Sequence, residues 1–383
     1  MFWEMLAALV VAALIGGLLG PVVIAAGVMD MPDGDRRHHA KPTPKAGGVA
    51  AAVGMMLGVA GVCLWPDPSW SAGLSSGALA RMGGVGLFAL AILILGLCDD
   101  IWHLGPRLKF GLMALMGLIL AALVARAEYF PFGGGIVLQT GLVIGVLGSA
   151  LWVFTMINAT NFLDGSNGLA MGSMAIGLTG LGVMGLLHAA PHAAVLAFAG
   201  AGGLIGMLIW NFPNGRLFAG DTGSLFAGAL AAGVGLLVVQ DGGVTPLAAP
   251  ILFFPMLADV LLTLAYRVKR KRRILDGHRE HLYQIGLRSG RSAPATAFLY
   301  WSLTAACGVI GVLVSMGPRL APPEAFAPRP GDVEPSQVFL IQSAAWFAAL
   351  TPWLAFIGCA LVALVISHRV RRFADARGLT APT

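Results

Sequence analysis

The chain has 383 residues, 57% of them hydrophobic and only 11% charged, with a formal net charge of +6. Its mean hydropathy of +0.83 excludes the two or three soluble domains that the length alone would suggest. No nucleic-acid partner is expected; the expected surroundings are a lipid bilayer.

Apolar runs of about 17–25 residues are long enough to cross a bilayer as a helix. Eleven are predicted: 6–29, 46–65, 78–98, 108–125, 136–157, 168–187, 193–210, 222–240, 246–266, 294–316 and 340–367. The first is too long for a signal peptide and has no basic region before it, so it reads as a retained span. The fourth is shortened by Lys109. Cys63, Cys98, Cys307 and Cys359 lie in or at the end of separate runs without a CxxC pair, which predicts packing residues rather than a disulfide or zinc framework. The 53 glycines suit close helix approach in a membrane. The expected fold is an all-α polytopic bundle forming one domain over 1–383.

Basic residues near span ends mark the cytoplasmic side. With the N-terminus outside and the C-terminus inside, 20 of the 24 Lys and Arg residues fall inside, leaving Arg81, Arg126, Arg319 and Arg329 outside. The opposite orientation inverts that ratio. The same assignment gathers the unusual polar loops on one face: DGDRRHHAKPTPKAGG, CDDIWHLGPRLK, NATNFLDGSN, NFPNGRLFAGD and RVKRKRRILDGHREHLYQ. The other face carries simple connectors, and His188, His192, Glu128 and Trp65 there receive no chemistry.

Each inside cluster has a bland reading to weigh. Asp99 and Asp100 end the third span, where negative charge opposes the helix dipole, so a cation is expected beside them. Neighbouring helix positions point about 100° apart, so the two acids can serve different atoms. Asp221 opens the eighth span among small residues and could be an ordinary cap. With a second acidic cluster on the same face it reads as a ligand for Mg2+, which favours one or two carboxylates plus substrate phosphate. His278 and His281 share a helical face beside six basic residues between Arg267 and Arg273, which fits phosphate or sugar hydroxyls better than zinc. Those basic residues are themselves adequately explained as a topology signal. Asp259 lies inside the ninth run, and an acid there requires a partner or a polar cavity.

Taken in order, DD, NxxNxxDGxxGL, GDTGS and HxxH resemble the polyprenyl-phosphate N-acetylhexosamine-1-phosphate transferases, over residues 30–285. HHAKPTPKAGG, NFPNGRLFAGD and HLYQ are most similar to the branch that starts O-antigen or related surface glycans on undecaprenyl phosphate. The resemblance implies Asp99, Asp100, Asp221 and Lys109 as catalytic residues. It implies Lys45, Asn161, Asp164, Asn167, Asn211, Phe218, His278, Arg279 and His281 as substrate-binding residues, with Phe218 stacking on uracil. Asp221, Asn161 and Asp100 are the implied ligands of Mg2+, for which Mn2+ could substitute. Many bacterial members carry DGxDG where this chain reads DGSNG, and Asn167 can still offer a donor and an acceptor to a base edge.

The expected reaction joins UDP-N-acetylhexosamine, with GlcNAc as the default sugar, to undecaprenyl phosphate at the cytoplasmic face of a bacterial inner membrane and releases UMP. The loop 267–293 is expected to choose the sugar, and the spans 294–316 and 340–367 follow it. A homodimer is a further expected arrangement. Two alternatives stand: a phospho-MurNAc-pentapeptide transferase, whose branch has ten spans and a His-rich run where this chain has HREH, and a secondary transporter.

Overall fold

The computed structural model describes residues 1–30, 42–65, 69–72, 74–133, 136–273, 278–320 and 335–379. Arg36, Arg37, Lys41, Asp276, Gly277 and Arg329, drawn into the sequence reading above, lie outside the described residues. The chain runs α1 (Phe2–Ala25), β1 (Met29–Asp30), β2 (Thr43–Pro44), α2 (Gly48–Cys63), α3 (Ser76–Trp102) and α4 (Pro106–Leu123). It continues through β3 (Tyr129–Gly133), β4 (Ile136–Gln139), α5 (Gly141–Leu163), α6 (Leu169–Leu187), α7 (Pro191–Asn211) and α8 (Gly220–Gly242). It closes with α9 (Ala248–Leu252), α10 (Phe254–Lys269), α11 (Leu282–Arg288), α12 (Ala293–Leu320) and α13 (Pro335–Ala376). The strands form two small antiparallel hairpins, β1–β2 and β3–β4.

Among the described residues nine helices are long and apolar enough to cross a membrane. Two of the eleven expected stretches differ. The second is the 16-residue α2, followed directly by Pro66 and Pro68, which helices cannot easily run into. The ninth is two helices meeting at Phe253. Pro255 supplies no N–H there and so starts a helix far better than it continues one.

α8 is the axis of the bundle, with 94% of its most apolar window buried. α2, α3, α5, α6 and α7 pack around it. Its small side chains permit this, and two neighbouring glycines enforce it. A Cβ on Gly96 of α3 would lie 2.5 Å from the Asp221 carbonyl oxygen, and one on Gly48 of α2 would lie 2.3 Å from the Gly223 backbone. Both contacts fall at the first turn of α8, so helix packing brings three chain segments to one point. α13, by contrast, is only 11% buried over its apolar window.

Chain direction then sets the site. α3, α5 and α7 end, and α4, α6 and α8 begin, at the same end of the bundle. α3 stops at His103, which takes a left-handed conformation (φ 53°), and Pro106 opens α4.

Candidate active site

Asp99 and Asp100 occupy the last turn of α3 and face different partners, as their angular spacing requires. Asp99 Oδ2 accepts from Lys109 Nζ at 2.9 Å. The same ammonium also bonds Asp221 Oδ2. Lys109, in the first turn of α4 and 9% exposed, thus bridges the two acids and is the compensating cation the sequence called for. Asp221 Oδ1 accepts from Asn161 Nδ2 at 2.7 Å, and that amide also reaches Ser224 Oγ at 3.0 Å. Asn161 Oδ1 makes no hydrogen bond among the described residues.

Asp100 has a different occupation from the metal ligand expected. Its Oδ1 accepts the Asp221 N–H at 3.2 Å, and its Oδ2 accepts the Thr222 N–H at 2.9 Å and the Thr222 hydroxyl at 2.6 Å. Lys45 Nζ lies 3.4 Å from Oδ1. Asp100 therefore caps α8 from a neighbouring helix, satisfying N–H groups that lack intrahelical partners. Lys45, buried at the end of the β1–β2 hairpin and also 4.0 Å from Asp30, balances its charge instead of standing free for substrate.

The α5–α6 connection holds Asp164 and Asn167. No hydrogen bond or ion pair reaches the Asp164 carboxylate among the described residues. Burial first, then the charges of Asp221 and Asp100, push its carboxyl well above the usual carboxylate range. Asn167 Nδ2 donates to the Pro213 carbonyl at 3.1 Å. Asn167 and the Phe218 ring meet over Gly215, where a Cβ would lie 2.6 Å from Asn167 Nδ2 and 2.9 Å from the Phe218 ring. Asn211, expected in the nucleotide pocket, is 3% exposed and has its amide engaged at both ends. Its Oδ1 accepts the Gly168 N–H at 2.6 Å and its Nδ2 donates to the Leu217 carbonyl at 3.0 Å. It is a strut between two loops.

His278 and His281 stack with ring centroids 4.9 Å apart, and His281 stacks on Phe162 at 5.9 Å. The pair is thereby joined to the end of α5. Among the described residues His278 Nδ1 has no hydrogen-bond partner. Burial, then His281, Arg267 and Arg371, lower the His278 pKa to about 3, so the ring is neutral at physiological pH. Arg279 lies between the two histidines, and its carbonyl accepts from Arg288 at 2.9 Å. Glu280 is buried and paired with Arg267 and Arg272, which ties these two members of the basic run to the protein. Asp259, 1% exposed, accepts the N–H groups of Leu282 at 2.7 Å and Tyr283 at 3.1 Å, capping α11 as Asp100 caps α8. Burial and the charges of Asp259 and Asp164 raise the Tyr283 phenol above its ordinary value.

Sequence reasoning passed over Thr222, Ser224, Tyr283, Tyr300 and Trp301. The first two were visible inside GDTGS. Tyr283 was visible inside HLYQ, whereas Tyr300 and Trp301 carried no signal separating them from packing aromatics.

Mg2+ suits this donor set. Asp221 keeps 26% of its side chain exposed, Asn161 presents an unused carbonyl oxygen, and among the described residues no hydrogen bond or ion pair reaches Asp164, whose raised pKa a bound cation would bring back down. All are hard oxygen donors of the kind this ion takes. Along α5, Thr155 precedes Asn161 by six residues, about 9 Å of helix. Thr155 and Trp152 line an apolar cavity of about 450 Å³ with Leu257 and Leu261 of α10 and Phe356 and Ala360 of α13.

The family model for glycosyl transferase family 4 matches residues 82–239. The chain is 26% identical over 269 residues to a probable undecaprenyl-phosphate N-acetylglucosaminyl 1-phosphate transferase of Bacillus subtilis, covering 68% of this chain and 70% of that protein. It is 30% identical over 331 residues to the phospho-N-acetylmuramoyl-pentapeptide-transferase of Moorella thermoacetica, covering 81% and 98%. A decaprenyl-phosphate N-acetylglucosaminephosphotransferase of Mycobacterium leprae is 28% identical over 284 residues, covering 67% and 70%.

Proposed function

The chain belongs to glycosyl transferase family 4, the polyprenyl-phosphate hexosamine-1-phosphate transferases, and on that premise we propose that it transfers N-acetylhexosamine 1-phosphate, with GlcNAc as the sugar, from a UDP-sugar to undecaprenyl phosphate. The observation that carries this reading is the bridge Asp99–Lys109–Asp221, which Asn161 joins from a fourth helix. Three segments far apart in sequence meet there around one cation and a cluster of oxygen donors.

An oxygen of the lipid phosphate attacks the sugar-bound phosphorus. The bond from that phosphorus to the bridging oxygen breaks, and UMP leaves with the oxygen. The second pKa of a phosphate monoester is about 6, so the acceptor is largely dianionic at neutral pH and a general base has little proton to remove. The barrier is mainly the repulsion between a dianion and an anionic diphosphate, which positioned cations relieve in phosphoryl transfer. Lys109 supplies one such charge, and Asp99 holds its ammonium in place. Asp221, Asn161 and Asp164 would hold Mg2+, which when bound screens the diphosphate charge. Asn167 and Phe218, meeting over Gly215, form the edge-and-face pair that a uracil ring takes. The apolar cavity beside α5 suits the polyprenyl chain, because it lies about two turns of α5 below Asn161.

The site opens to the cytoplasm of a bacterium, with the N-terminus outside and the C-terminus inside the inner membrane. Support comes from the 20 of 24 basic residues at that end of the spans. α2 and the broken pair α9–α10 complete eleven crossings. The product starts a lipid-linked surface glycan, O-antigen or a related polysaccharide.

A second donor, UDP-MurNAc-pentapeptide, is favoured by the 98% coverage of the Moorella relative. Against it stands Glu280, which sits between the histidines and is committed to Arg267 and Arg272. UMP release from UDP-GlcNAc and from UDP-MurNAc-pentapeptide, measured side by side, separates the two: turnover of the pentapeptide donor alone would move the chain to that branch.

A further inference from the structure

Tyr300 and Trp301 are neighbours on α12, so they point about 100° apart and reach two different loops of the site. Trp301 Nε1 donates to the Gly168 carbonyl at 3.0 Å. Its indole fills the space over Gly172, where a Cβ would lie 2.2 Å from the ring. The Tyr300 hydroxyl, buried at 6% exposure, donates to Asp259 Oδ2. Asp259 in turn holds the N–H groups of Leu282 and Tyr283. The Tyr283 hydroxyl donates to the Phe162 carbonyl at 3.2 Å and lies against Gly165, where a Cβ would be 2.2 Å from it. Phe162 and Gly168 bracket the 164–167 turn, so the chain of contacts closes on itself through α12.

Aromatic residues at the end of a span are ordinarily interfacial anchors. An anchor turns its polar atom to water and headgroups, whereas both of these polar atoms bond protein groups at the site. α12 also lies beyond the residues that the family model matches.

We propose that Tyr300 and Trp301 are positioning residues: the closed hydrogen-bond circuit they anchor fixes the separation between the 161–168 segment and the His278–His281 segment, so that one nucleotide-sugar can engage both. Its kinetic consequence rests on the reading of these segments as the donor site. Lys109 and Asp99, which meet the lipid phosphate in that reading, make no hydrogen bond within the circuit, so the donor bears most of the effect.

Hydrogen exchange on the full-length protein tests the circuit without any substrate. Tyr300→Phe removes one oxygen, and the amides of 282–283 and those of 164–168 should both exchange roughly five- to tenfold faster, the equilibrium weight of one hydrogen bond. Acceleration that stops at 282–283, or none at all, overturns the proposal. In turnover, Tyr300→Phe and Trp301→Phe should raise the donor KM several-fold and leave the acceptor KM within twofold, and adding Tyr283→Phe to Tyr300→Phe should cost no more than the worse single change. Equal changes in both KM values, or none, overturn it. A wild-type protein silent with every UDP-sugar would instead sink the donor reading, with the exchange experiment still deciding the circuit.

Discussion

The carboxylate of Asp100 accepts both the backbone N–H and the hydroxyl of Thr222, at 2.9 and 2.6 Å. The last turn of α3 is thereby fastened to the first turn of α8, and Asp221, one residue earlier, is held at the foot of Lys109. A residue in that position orients the Asp221 carboxylate through the backbone of α8.

Asp100→Asn should therefore destabilise the folded protein by about 1–3 kcal/mol, the range for a buried acceptor left partly unmatched. The folded fraction should bind Mn2+, as a probe for Mg2+, within about threefold of wild type, because the lost charge acts through stability. Unchanged stability with abolished Mn2+ binding would return Asp100 to the ligand set.

Gly96→Ala should separate α3 from α8. The added methyl meets the Asp221 carbonyl at 2.5 Å and the Thr222 Cα at 2.8 Å, both backbone atoms that cannot swing aside. Overpacking of this kind costs about 1–3 kcal/mol. Activity per folded molecule should fall at least about tenfold, since 1.4 kcal/mol of misplacement already gives that factor. Near-normal turnover in the alanine variant would mean the helices tolerate the shift.

His278 has an ordinary value of 6.5, and burial, followed by His281, Arg267 and Arg371, lowers it to about 3 in the folded protein. Its contribution to stability is complete above pH 6.5 and is lost as pH falls toward 3, because the unfolded chain takes up a proton that the folded chain refuses. Thermal melts across that window should show His278→Gln losing less stability on acidification than wild type. Parallel pH dependence in the two proteins would contradict the shift.

Much of the site was legible because polar residues in an apolar chain need a reason. Asp99, Asn161 and Asp221 were found that way, and they converge. The roles of Asp100, Lys45 and Asn211 were not legible, because their partners are backbone groups and buried charges that residue type does not reveal. Tyr300 and Trp301 were passed over because residue type alone does not mark them until α12 is packed against α6. The break at Phe253 escaped because mean hydropathy over 246–266 cannot register a missing proline N–H, even though Pro255 stood in the sequence.

Asp99→Asn and Asp221→Asn should differ in kind. At pH 8 the lipid phosphate carries its second charge without help, so Asp99→Asn should retain much more rate than Asp221→Asn. Its defect should deepen as pH drops through about 6, where the acceptor begins to hold a proton that the Asp99 carboxylate, as a minor base, would accept. A pH-independent loss in Asp99→Asn, as severe as that of Asp221→Asn, would assign Asp99 a role beyond holding Lys109 and a minor proton.

The most direct measurement follows UMP release by purified protein given undecaprenyl phosphate, Mg2+ and a panel of UDP-sugars. The predicted result is UMP from one N-acetylhexosamine donor, abolished by EDTA and in Asp221→Asn. No UMP from any donor with well-folded wild-type protein, or undiminished release in Asp221→Asn, would contradict the account of this site.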